Sequence, residues 1–219
     1  MTTLGNPATA PAGVVAIVRL RTAPPDAIRT ALEDAGVPAL EITLTTPGAE
    51  AAIARWRAAG GAAAVGAGTV RTPDEARRAV RAGAQFLVTP TTSAAVLETA
   101  GEAGVPVLCG ALTPTEIDTA WRLGAAAVKV FPVDAVGGPA YVRAVQAPLP
   151  DIPLVPTGGV DAAAARSYAA LGCHAVGVGG HLVSDRVTAT GDFDGLRARA
   201  AALTGAWQAG AAQHAGGTP

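Results

Sequence analysis

The sequence predicts an α/β fold, a single (β/α)8 TIM barrel, from three observations. Eight short runs, nearly all apolar, recur along the 219 residues, at 14–19, 39–44, 63–67, 85–88, 106–109, 126–130, 153–155 and 175–178. Their lack of polar alternation suits strands covered on both faces. Between them lie stretches long enough for one helix and two turns, and eight such units are the count of a closed parallel barrel. The helical stretches also end on a regular beat of glycine, at Gly36, Gly60, Gly83, Gly104, Gly124 and Gly172, as helix C-termini do.

Taken in order, the first run, Val14-Val-Ala-Ile-Val-Arg19, ends in a cation. In the second, Leu40-Glu-Ile-Thr-Leu44, the period of two sets Glu41, Thr43 and Thr45 on one face, so that a carboxylate points to the expected lumen. Thr72-Pro-Asp-Glu75 and Thr113-Pro-Thr-Glu116 each read as a capping box with Pro at the first helical position. The sixth run carries Lys129 between Ala125-Ala-Ala-Val128 and Val130-Phe-Pro132. Thr157-Gly158-Gly159 follows the seventh, with Asp161 opening a helix; Gly177-Val-Gly-Gly180 and His181 close the eighth. The barrel is expected over 13–204. The segments 1–12 and 205–219, small, polar or repetitive, are expected to be poorly ordered.

Composition narrows the function. Half the residues are hydrophobic, which allows one continuous core. A formal net charge of −1 gives no electrostatic footprint for nucleic acid or a membrane surface. No apolar run reaches the ~18 residues of a membrane span, and Met1-Thr-Thr-Leu-Gly-Asn-Pro7 does not read as a signal peptide. Cys109 and Cys173 sit in apolar runs and are expected to be buried free thiols of a cytoplasmic protein. His174, His181 and His214 show no metal-ligand spacing, so no metal is expected.

Of the 16 basic residues, 15 are Arg and one is Lys129. An Ala-, Gly- and Arg-rich composition suggests drift from Lys to Arg wherever a surface charge suffices. Arg cannot replace a Lys that must be neutral and nucleophilic. Burial in an apolar strand disfavours the ammonium form and frees the amine to attack a carbonyl. Glu41, also inside a strand, is then a natural proton shuttle; the alternative is a purely structural Glu41–Lys129 ion pair. Glycine turns after strands seven and eight are where barrels cradle a phosphate on backbone N–H groups. His181 could contact a ligand there or simply start a helix.

Leu40-Glu-Ile-Thr-Leu44, Gly66-Ala-Gly-Thr-Val70, Val88-Thr-Pro90, Val128-Lys-Val-Phe-Pro132 and Val155-Pro-Thr-Gly-Gly-Val160 together resemble the signature segments of the 2-keto-3-deoxy-6-phosphogluconate (KDPG) aldolase family, in the family's order and spacing. The resemblance implies a class I aldolase releasing pyruvate and glyceraldehyde 3-phosphate, sometimes acting on 4-hydroxy-2-oxoglutarate, with no cofactor and a homotrimeric assembly. Lys129 matches the Schiff-base lysine and Glu41 the acid/base carboxylate. Thr69, Pro90 and Phe131 match residues around the pyruvate moiety, and Gly158, Gly159 and Gly179 the phosphate-binding turns. Many members carry Arg where Thr45 stands, and Arg19 is placed to supply that charge instead. Thr157 favours the gluconate-type over the galactonate-type substrate. Gly180 replaces a Ser of the family, with His181 after it. Two other readings stay open: a pyruvate-dependent aldolase or decarboxylase for an unphosphorylated 2-keto acid, and a catalytically silent trimeric binding or structural module.

Overall fold

A computed structural model describes residues 9–216. Strands and helices alternate from the start: β1 (Gly13–Val18), α1 (Asp26–Asp34), β2 (Ala39–Thr43), α2 (Ala49–Ala58), β3 (Ala64–Gly68) and α3 (Pro73–Arg81). They continue as β4 (Leu87–Val88), α4 (Ala94–Glu102), β5 (Val107–Ala111), α5 (Pro114–Arg122), β6 (Ala127–Val130) and α6 (Pro139–Gln146). Then follow β7 (Leu154–Pro156), α7 (Ala162–Ala170), β8 (Ala175–Val178), α8 (Asp185–Thr190) and α9 (Phe193–Gly216). Every strand pairs in parallel with its sequence neighbour, β8 pairs back onto β1, and a parallel bridge between Thr157 and Gly177 closes the ring.

The alternation of each strand divides the core in two. Outward residues such as Val14, Ala16, Leu40, Ile42, Val128, Val130 and Val176 pack with the helices. Inward residues Val15, Ala39, Phe86, Leu108, Ala127, Val155 and Ala175 fill the lumen floor. Thr72 and Thr113 accept from the N–H of Glu75 and Glu116, whose side chains return the bond, so both capping boxes are present. All six punctuating glycines have positive φ, between 66° and 93°.

Strand limits differ from expectation where side chains intervene. β4 shrinks from 85–88 to two residues, because the side-chain oxygen of Gln85 accepts the Val65 N–H in place of a backbone carbonyl. β5 runs on to Ala111, since Gly110 and Ala111 pair with Lys129 and Val130.

The expected loose termini need correction. Residues 1–8 and 217–219 lie outside the described residues. Ala10, however, is buried against the lumen floor, and its carbonyl lies 3.2 Å from the His174 ring nitrogen. The segment from Gly205 continues α9 to Gly216. Its small residues, which read as low complexity, are what let α9 lie against α7: a Cβ on Gly210 would stand 2.2 Å from the Arg166 carbonyl oxygen. Thr204 donates to the Ala35 carbonyl (3.0 Å), tying the same helix to the end of α1.

This docking predicts opposite outcomes at two glycines of one helix. Gly210→Val overpacks the α7–α9 contact and should cost about 1–3 kcal/mol, a fall in Tm of roughly 5 °C. Gly205, where an added Cβ would meet nothing within 4 Å, should tolerate Ala and gain up to about 1 kcal/mol of helix propensity. Thermal unfolding followed by circular dichroism checks both; equal melting points would mean the helix is not docked.

Candidate active site

The C-terminal ends of the strands open onto a cavity of about 390 Å3. Its walls are Ile17 and Arg19 from β1 and its loop, Lys129 and Phe131 from β6, and the turn Thr157 to Val160 after β7. Gly177, the turn Gly179 to His181, and Val183 to Asp185 complete it. Lys129 shares the inward face of β6 with Ala127 and is 6 % exposed. Its Nζ lies 5.4 Å from the ring centroid of Phe131, which is itself 38 % exposed at the mouth.

Glu41, 1 % exposed, points inward from β2, and its Oε1 has no hydrogen-bond partner. Room for it comes from β3: a Cβ on Gly68 would stand 1.8 Å from that Oε1. Among the described residues neither Lys129 nor Glu41 takes part in an ion pair. The alternative of a structural Glu41–Lys129 pair is therefore set aside. A carboxylate buried without a partner is costly, and such groups are candidates for functional sites.

The charge around the cavity favours anions. Arg19 and Lys129 line it, whereas the carboxylate of Asp185 is held by Arg21, accepting its backbone N–H at 2.8 Å and lying 3.5 Å from its Nε. In the two glycine turns, the N–H groups of Gly159, Gly180 and His181 form no hydrogen bond within the described chain, so they are free to meet an oxyanion. Thr157 is buried, its Oγ1 3.2 Å from the Val155 carbonyl, and it occupies space that any side chain at Gly177 would need. Burial pushes the Tyr168 phenol and the Cys173 thiol each up to about 12, so both stay neutral.

Some expected residues stand apart from the cavity wall. Thr69 reaches it through Arg19, whose Nη2 donates to the Thr69 Oγ1 (3.4 Å). At φ 58° Thr69 is held in the left-handed region, strained for a β-branched residue. Pro90 packs its backbone on Gly110, the partner of Lys129 in the ladder, and is not a wall residue. Thr45 is a correction. β2 ends at Thr43, where Thr46 N–H turns back to the Thr43 carbonyl (2.9 Å), so Thr45 leaves the inward face and is exposed. Sequence reasoning missed Ser184 and Asp185; their signal was a Ser-Asp pair opening a short helix, and Ser184 lines the cavity without capping α8.

A family model described as "Aldolase: KDPG and KHG aldolase" matches residues 9–198. The chain belongs to this family. It is 42 % identical to the 2-dehydro-3-deoxy-phosphogluconate aldolase of Pseudomonas aeruginosa over 130 residues, 59 % of each chain. Against the 2-dehydro-3-deoxy-phosphogluconate aldolase of Treponema pallidum the identity is 35 % over 189 residues, 84 % of this chain and 87 % of that one. Among solved structures, the KDPG aldolase of Legionella pneumophila, with pyruvate captured as a covalent carbinolamine intermediate, superposes with TM-score 0.77 at 26 % identity. That match covers 89 % of this chain and 95 % of the other.

Gly68 then becomes a test of the Glu41 placement. The far end of a flexible side chain can move aside, so Gly68→Ala should fold. The displaced carboxylate should lower aldolase turnover by about two orders of magnitude, the usual size of an acid/base contribution. Steady-state rates beside a circular dichroism melt would show it; unchanged turnover would place the working carboxylate elsewhere.

Proposed function

We propose that the chain is a class I aldolase that cleaves 2-keto-3-deoxy-6-phosphogluconate to pyruvate and glyceraldehyde 3-phosphate, with 4-hydroxy-2-oxoglutarate as a further substrate. The observation that carries this reading is the chain's one lysine, facing the cavity, with a buried and unpaired Glu41 in the same lumen. Lys129 adds to the C2 ketone, and loss of water gives the iminium. The iminium draws the electron pair of the C3–C4 bond as Glu41, directly or through water, takes the C4 hydroxyl proton. The aldehyde leaves. The enamine regains a proton at C3, and hydrolysis returns pyruvate and the free amine. Arg19 anchors the substrate carboxylate, with Thr69 against its guanidinium, while Pro90 and Phe131 bound the pyruvate end. Gly158, Gly159, Gly179, Gly180 and His181 receive the phosphate, and Thr157 supports the gluconate-type configuration. No cofactor enters these steps.

Assembly as a homotrimer belongs to the same proposal; exposed Trp121 and Leu123 near the end of α5 supply apolar surface for it. A cytoplasmic location is inferred from the two buried free thiols. No helix of the described residues is long and apolar enough to cross a membrane.

A second reading, an unphosphorylated 2-keto acid substrate, is favoured by the replacement of a side-chain hydroxyl by Gly180 at the second turn. Two measurements separate the possibilities. Incubation with pyruvate and borohydride should add one reduced pyruvyl group at Lys129, and none in Lys129→Arg; an unmodified wild-type Lys129 would remove both enzyme readings. Gly180→Ser, where an added Cβ would meet nothing within 4 Å, should lower KM for the phosphorylated substrate by roughly tenfold, on the order of one hydrogen bond to a charged group, while leaving unphosphorylated analogues unchanged. An unaltered KM for the phosphate ester would favour the second reading.

A further inference from the structure

We infer that Thr46, which lies outside the cavity wall, is a positioning residue that holds Arg19 at the mouth of the site. The inference rests on the reading of Arg19 as the anchor of the substrate carboxylate.

Arg19 has an exposed side chain at the cavity and follows directly after β1. Among the described residues the Thr69 hydroxyl is the one hydrogen-bond partner of its side chain. Its backbone neighbours are fixed instead. Thr46, 2 % exposed, accepts the Leu20 N–H at 3.2 Å and donates to the Val18 carbonyl at 3.3 Å. One hydroxyl thus spans the two residues that flank Arg19.

The hydroxyl is itself oriented by its neighbours. Thr43 Oγ1 lies 3.1 Å from both Thr45 Oγ1 and Thr46 Oγ1. With one proton per hydroxyl, a consistent assignment runs Thr45 to Thr43 to Thr46 to the Val18 carbonyl, while the second lone pair of Thr46 takes the Leu20 N–H. On the far side, the Arg21 N–H donates to Asp185 at 2.8 Å. Backbone groups at Val18, Leu20 and Arg21 are therefore held from two directions, and Arg19 projects from the held segment. Removing the Thr46 hydroxyl leaves the buried Leu20 N–H seeking a new partner and leaves the Val18 carbonyl only the longer 3.5 Å approach of the Thr43 hydroxyl, so the segment must shift to recover the lost bonds. A shift there moves the guanidinium relative to Lys129, where a small misplacement weakens substrate anchoring more than the bond-breaking chemistry.

The experiment is steady-state kinetics of the whole chain with 2-keto-3-deoxy-6-phosphogluconate, and with pyruvate in the condensation direction. Thr46→Val should raise KM for the keto acid roughly tenfold, about the worth of one buried hydrogen bond, with kcat within about twofold. Thr46→Ser, which keeps the hydroxyl, should restore wild-type KM. In an Arg19→Ala background, which raises KM by itself, Thr46→Val should add little, because coupled residues are not additive. Full additivity, or a fall in kcat that Ser does not rescue, would overturn the assignment. Should Arg19→Ala leave KM unchanged, the anchor reading falls and this inference with it. A raised KM for Arg19→Ala with none for Thr46→Val removes the role of Thr46 alone. If Thr46→Val does not fold, Thr43→Val removes the neighbour that orients Thr46 and should give a smaller rise in KM; no rise would count against the proposal.

Discussion

The lumen of this barrel is too narrow for large side chains from neighbouring strands to meet at one level, and most of the site follows from that limit. Four groups that crowd the lumen each have a glycine beside them. The Phe86 ring fills the space over Gly66, the Glu41 carboxylate lies over Gly68, the Thr89–Pro90 backbone presses on Gly110, and the Thr157 side chain covers Gly177. In every case a Cβ on the glycine would come within 2.6 Å of its neighbour, closer than packed atoms approach. The pairs stack from floor to mouth. Phe86 with Leu108, Val155 and Ala10 seals the base, and the polar pairs hold the level where Lys129 emerges.

On that scaffold Glu41 and Lys129 face one lumen without being joined. A buried ion pair would satisfy both partners and leave neither available. Here the Glu41 oxygen stays unpartnered and Lys129 leans over an aromatic face rather than onto a carboxylate. Burying a carboxylate without a partner lowers stability. The acidic group at the mouth, Asp185, is engaged by Arg21, which leaves the Arg19 guanidinium at the cavity wall to attract incoming anions.

Much of this is readable from residues alone, because barrel strands and catalytic positions leave local marks. A lone Lys and a lone Glu inside apolar runs violate binary patterning, and the two glycine turns sit where consecutive strands end; all of these signals are short-range. What escapes is tertiary. Thr45 falls on the inward face only if alternation is extended two residues past the point where the chain turns, and Thr46, the buried member of that turn, carries no pattern of its own. Gly210 and its Ala-rich surroundings resemble a loose tail, since small residues mark both flexible segments and close helix packing, and only the partner helix α7 tells them apart. The choice between a paired and an unpaired Glu41 likewise depends on geometry across strands, not on either strand's sequence.

An amine and an unpaired carboxylate in one lumen are held to divide the work of bond making and proton transfer. Exchange of the pyruvate methyl hydrogens with D2O, followed by proton NMR, isolates those two roles without any aldehyde substrate. Wild-type protein should exchange them through the enamine. Lys129→Arg should not exchange at all, and Glu41→Gln should exchange about a hundredfold more slowly while still forming the borohydride-trapped adduct. Wild-type exchange rates in Glu41→Gln, or any catalysed exchange in Lys129→Arg, would contradict the account.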